Sequence, residues 1–254
     1  MKKLSIILFM CFFLVGCTSV TTGQTTSSTT TSTTEVTIPN GLEPLTAVSD
    51  CEVAELDGGW VCIWADEFSG DAVDETKWNF EINGDGGGNQ ELQYYIRDNA
   101  TVSEGILSIT AIHENYLNKT YTSSRINTKY KGDFQYVKVV VSAKMPSGVG
   151  TWPAIWMMPT LAEYGGWPDS GEIDIMEYVG YDEDVIHSTI HTERFNHTLG
   201  TQIGFSTDIE NVETEFHVYE LDWYPGHMET YIDGTKTGEF NYAAAFTSAY
   251  AYSE

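Results

Sequence analysis

The chain has 254 residues, with 12 Lys and Arg against 37 Asp and Glu, a formal net charge of −25. A surface of that sign repels nucleic acid and anionic lipid and disfavours a sulfated or uronic-acid polymer, so a neutral partner is the compatible class. Its 7 Trp, 15 Tyr and 11 Phe, with 23 Gly punctuating aromatic and β-branched runs, favour strands over helices.

In chain order, Lys2 and Lys3 precede an apolar run from Leu4 to Val15, the length of a signal segment and too short to span a bilayer. The run ends in Leu14-Val15-Gly16-Cys17, which resembles a bacterial lipobox. Residues 1–17 are therefore expected to be a lipoprotein signal, with Cys17 the acylated residue that ties a secreted protein to a membrane at the cell surface or in the periplasm. Residues 18–40 are dominated by Thr and Ser, have no apolar periodicity, and read as a tether. Residues 41–254 are one domain's worth of chain. Of the 4 Cys, Cys11 leaves with the signal and Cys17 takes lipid. Cys51 and Cys62 remain in an oxidising compartment as a candidate disulfide.

Period-2 segments recur through the domain: Trp60–Trp64, Glu91–Tyr95, Thr101-Val102, Ile106–Ala111, Phe134–Val141, Ile186–His191, Phe216–Trp223 and Met228–Ile232, the last followed by an Asp233-Gly234 turn. Asn196 to Thr214 reads as polar loop or weakly structured chain. No long amphipathic helix is found, and the architecture expected is an all-β jelly-roll sandwich.

The densest chemistry lies between Gly150 and Gly180. Taken as a strand, Glu172 to Glu177 places Glu172 and Asp174 on one face and Ile173 and Ile175 on the other. Strict alternation turns Glu177 away. A one-residue bulge near Met176 would bring it back and align three carboxylates. Like charges held together raise one another's proton affinity, an arrangement that suits a glycosidase, which needs one ionised and one protonated carboxyl on either side of a bond. Trp152, Trp156 and Trp167 bracket the acids as candidate faces for pyranose rings. Trp156, in an apolar run, fits core packing equally well; Trp167, between Gly166 and Pro168, is the better binding candidate. By its residues alone, Arg125 fits an ion pair with an acid, and His191 a structural role on an alternating strand.

The run Gly171-Glu172-Ile173-Asp174-Ile175-Met176-Glu177 resembles the bulged signature of family 16 glycoside hydrolases of the laminarinase-like endo-β-1,3-glucanase type. Asp66–Gly70, Asn89–Tyr95, Ser124-Arg125-Ile126, Trp152–Pro159, His191-Thr192 and Tyr231–Gly234 follow in the family's order. The resemblance implies a concanavalin-like jelly roll with a cleft across its concave sheet. It implies a retaining mechanism with Glu172 as nucleophile, Glu177 as general acid/base and Asp174 as supporting acid. Asn89, Glu91, Arg125, Trp152, Trp167 and His191 would line the sugar subsites of a monomer acting on neutral β-glucan, with no cofactor needed for catalysis. Mixed-linkage glucan or agar hydrolysis, and non-catalytic carbohydrate binding, are the competing expectations. The family's further strands beyond the Asp233-Gly234 hairpin are expected to be missing. Glu67 and Gly105 are expected contributors to a structural calcium site whose last carboxylate is lacking.

Overall fold

The computed structural model describes residues 4–14 and 60–241. In chain order the strands are β1 (Leu4–Leu14), β2 (Val61–Asp66), β3 (Asn79–Glu81), β4 (Gln93–Tyr95), β5 (Ala100–Ser103), β6 (Ile106–Tyr116), β7 (Lys119–Ser123) and β8 (Arg125–Asn127). Then follow β9 (Val137–Lys144), β10 (Ala154–Met157), β11 (Glu172–Tyr178), β12 (Val185–His191), β13 (Ile203–Asp208), β14 (His217–Tyr224), β15 (His227–Ile232) and β16 (Thr235–Asn241). A single 3-10 turn, Arg97–Asn99, is the only helical piece among the described residues.

A ten-stranded sheet runs β16-β15-β14-β9-β1-β6-β7-β4, with β2 paired to β1 and β5 to β6. A four-stranded sheet runs β10-β11-β12-β13, and β3 pairs with β8. Alternation decides which side chains fill the space between the two larger sheets. From β9 come Val137, Val139, Val141 and Ala143; from β14, Tyr219, Leu221 and Trp223. The smaller sheet answers with Ile155, Ile173, Ile175, Met176, Tyr178, Ile186 and Ile190. The result is a jelly-roll sandwich whose four-stranded sheet turns its other face outward.

Most alternating runs become strands, with bounds shifted for local reasons. Tyr136 has φ 56°, in the left-handed region, so β9 starts at Val137 rather than at Phe134. The polar stretch Asn196 to Thr214 is corrected: it contains β13, hydrogen-bonded to β12 from Val185↔Asp208 to Ile190↔Ile203. Gly204, Ser206 and Asp208 are exposed and weaken the strand signal, while Phe205 packs edge-on to Phe240 at 5.0 Å. Leu4–Leu14, read from sequence as part of an export signal, pairs antiparallel with β2, β6 and β9. Its aromatic and β-branched composition suits a strand as well as a signal. Cys17, the 18–40 tether and Cys51 lie outside the described residues. Cys62 is disulfide-bonded.

Candidate active site

β11 carries the chemistry. Its register with β12 runs Glu172↔His191, Ile173↔Ile190 and Asp174↔Thr189, then resumes at Glu177↔His187. Against β10 the pairing passes from Trp156↔Asp174 to Ile155↔Met176. The expected bulge is therefore present at Ile175-Met176. Both bulge side chains go into the core, and Glu172, Asp174 and Glu177 share the open face. Ser188, buried on β12, donates its hydroxyl to the Ile175 carbonyl at 2.9 Å and so ties the bulge to the neighbouring strand.

Each glutamate is met by an indole. Trp152 Nε1 donates to Glu177 Oε1 at 2.9 Å. Trp167 Nε1 donates to Glu172 Oε2. Both rings remain accessible, Trp152 at 65% and Trp167 at 38% of their surface. Trp152 stands beside a tight contact: a Cβ on Gly180 would lie 2.1 Å from the Gly148 carbonyl, so only glycine lets the end of β11 pack on that loop.

Asp174 is 4% exposed and His191 7%, with His191 Nε2 3.3 Å from Asp174 Oδ2. Burial, then the neighbouring Asp174 carboxylate, raises Glu172 to about 7, against the opposing hydrogen bond from Trp167. Burial, then Glu177, raises Asp174 to about 8. The two carboxyls touch, and two like charges out of water cannot both be carried at low cost. The pair therefore retains a shared proton near neutral pH. Burial lowers His191 below the usual histidine range, opposed by the Glu172 and Glu177 carboxylates.

The outer candidates divide. Arg125 makes an ion pair through Nε to Glu81 at 3.2 Å, and its guanidinium covers Trp156 at 4.5 Å from the ring centre. Trp156 is half-buried beneath that guanidinium. The Glu91 carboxylate accepts from Tyr95 Oη at 2.5 Å and from Gln93 Nε2 at 3.0 Å. Asn89 is exposed in the turn closed by Asn89 N→Gly86 O at 2.8 Å. Its side chain is not joined to the acids by any hydrogen bond found among the described residues.

His197 had no signal in the sequence, because it lies in a loop without period. It packs on Trp167 at 4.8 Å and edge-on to His191 at 5.3 Å. Ser188 was equally hidden, since a serine on an alternating strand reads as a spacer.

For calcium, a Cβ on Gly105 would lie 3.8 Å from the Glu67 carbonyl, so the two expected contributors are neighbours. No group of three or more His, Cys, Asp or Glu suited to a metal occurs among the described residues.

A jelly-roll sandwich with two indole-held glutamates flanking a buried carboxyl is a carbohydrate-hydrolase architecture. The chain belongs to the glycosyl hydrolases family 16, matched over residues 88–253. It is similar to the β-glucanase of Rhodothermus marinus, 47% identical over 180 residues that cover 68% of this chain and 63% of that protein. It is 38% identical over 185 residues to the glucan endo-1,3-β-glucosidase of Cryptopygus antarcticus, covering 69% and 67%. The X-ray structure of the laminarinase from Rhodothermus marinus superposes with a TM-score of 0.70 at 41% identity, covering 75% of this chain and 78% of that one. The chain thus spans 63% of the length of the Rhodothermus β-glucanase.

Proposed function

We propose that this chain is a retaining endo-β-1,3-glucanase acting on laminarin-like glucans. The observation that carries the reading is the bulged β11, which presents Glu172, Asp174 and Glu177 on one face with an indole N–H on each glutamate. Family membership and the names of the similar proteins support the substrate class.

In this reading Glu172 attacks the anomeric carbon while Glu177 protonates the departing glycosidic oxygen. Glu177 then takes a proton from water, which attacks the glycosyl-enzyme and restores Glu172. Asp174 and Glu172 share one proton in the resting state, which leaves a single negative charge on the pair. Trp167, beside the nucleophile, serves the glycone side; Trp152, beside the acid, serves the leaving-group side. Arg125, with Trp156 beneath it, and Glu91 belong to the walls of the site. Calcium at Glu67 and Gly105 would need oxygens beyond these two residues. Export and a lipid anchor at Cys17 complete the proposal on the strength of the lipobox alone.

The assay is release of reducing sugar from laminarin, with lichenan, agarose and carboxymethylcellulose in parallel. Laminarin is expected to be cleaved with retained anomeric configuration by NMR. Glu177→Gln should lower kcat by about 10²–10⁴-fold on a substrate that needs acid assistance. A folded protein inactive on every glucan would sink the reading.

A further inference from the structure

Trp167 sits in a loop between Gly166 and Pro168, and Gly165 before it has φ 128°. Such a loop does not fix a large side chain by itself. Its indole nevertheless must be still, because it both donates to Glu172 and offers a face to the sugar. The immobilising contact comes from another loop. Residues 192–201 are organised around Asn196, only 1% exposed. Asn196 Nδ2 donates to the carbonyls of Thr192 and Glu193, each at 3.1 Å. Its Oδ1 accepts from Thr198 Oγ1 at 2.5 Å and from Leu199 N at 3.2 Å, and its carbonyl accepts from Thr201 N at 3.1 Å. The next residue is His197, exposed to solvent and lying across Trp167 with the rings 34° apart. His191 closes the third side, its ring centre 5.9 Å from that of Trp167 and 5.3 Å from that of His197.

We propose that His197 is a positioning residue of the glycone side: carried on the Asn196-braced loop, it clamps Trp167 so that its indole N–H stays on Glu172 and its remaining surface receives the sugar whose anomeric carbon is attacked. This rests on the glucanase reading above. The clamp acts on affinity, because a platform already held still loses little freedom when the sugar lands. It also acts on the nucleophile. The hydrogen bond from Trp167 lowers the proton affinity of Glu172, so a loosened indole raises it. The other groups facing Glu172 are Asp174 on its own strand and His191 from β12. Glu177 faces Asp174 and His191 in turn, and Arg125 lies over Trp156 on β10.

The test uses the full chain labelled with 5-fluorotryptophan. The resonance of Trp167 among the 7 Trp is assigned by its loss in Trp167→Phe. In His197→Ala that resonance is expected to shift and broaden. KM for laminarin should rise about five-fold, the worth of one aromatic pair. The acid limb of kcat/KM should move to higher pH. His197→Phe, which keeps a ring at the position, should restore both KM and line width. An unchanged resonance and KM in His197→Ala, or failure of His197→Phe to restore them, overturns the clamp. If the wild-type protein cleaves no glucan while the Trp167 line still answers to His197, the glucanase reading falls and the clamp stands.

Discussion

Trp152 and Trp167 each give an indole N–H to a carboxylate while much of the side chain stays exposed. Asp174, by contrast, is nearly buried, touches Glu172 and raises its proton affinity by charge and hydrogen bond, second only to burial itself. Opposite substitutions should therefore move the acid limb of kcat/KM in opposite directions. Asp174→Asn removes a group that raises Glu172, so the limb should shift to lower pH even as kcat falls. Trp167→Phe removes a donor that lowers Glu172, so the limb should shift to higher pH. Both limbs moving the same way in pH-rate profiles would contradict this account of the pair. At this scale the sequence was most readable where residues obey a period. Glu172, Asp174 and Glu177 could be named from alternation plus one bulge. The partners of Arg125 could not, because Glu81 is far from it in sequence and adjacent only through the β3–β8 register. His197 could not either, since no periodicity links a loop residue to a ring in another loop.

Within the elements, the bulge of β11 depends on β12. Ser188 faces the core side of its strand, and its hydroxyl has the Ile175 carbonyl as acceptor. Ser188→Ala removes that buried hydrogen bond, a loss of about 1 kcal/mol. Urea unfolding should show the lower midpoint, and kcat should fall with it because Glu177 follows the bulge. A midpoint equal to that of wild type would show that Ser188 does not hold the bulge. The strands that alternation revealed, such as β12 and β14, each bury one face against the other sheet. β13 escaped notice because its open face carries Gly204, Ser206 and Asp208, and only Ile203 and Phe205 speak for a core. β3 and β8, three residues each, are too short to show a period.

For the whole molecule, the sandwich was legible because the inner faces of many short strands agree on one core. Which sheet each strand joins was not, because pairings such as β9 with β14 link segments far apart in the chain. The N-terminal run exposes a second limit of reading by composition: an apolar stretch that suits a strand also suits a signal. The two fates exclude one another in a single molecule, since cleavage ahead of Cys17 removes β1 and leaves the facing edges of β6 and β9 without it. Intact mass of the protein made in a bacterial host decides between them. A chain starting at an acylated Cys17 is expected; a chain retaining residues 1–16 would remove the anchor from the proposal.

The bulge also sets a rule about spelling and length. Up to Asp174 the acids fall on alternate letters of β11, and from Glu177 onward the strand is read in the other frame. Exchanging one letter for another between those two residues leaves both frames intact. Adding or removing a letter there swaps the outward text with the inward one, so the count of that stretch is held, and its two buried letters, Ile175 and Met176, must stay apolar as well.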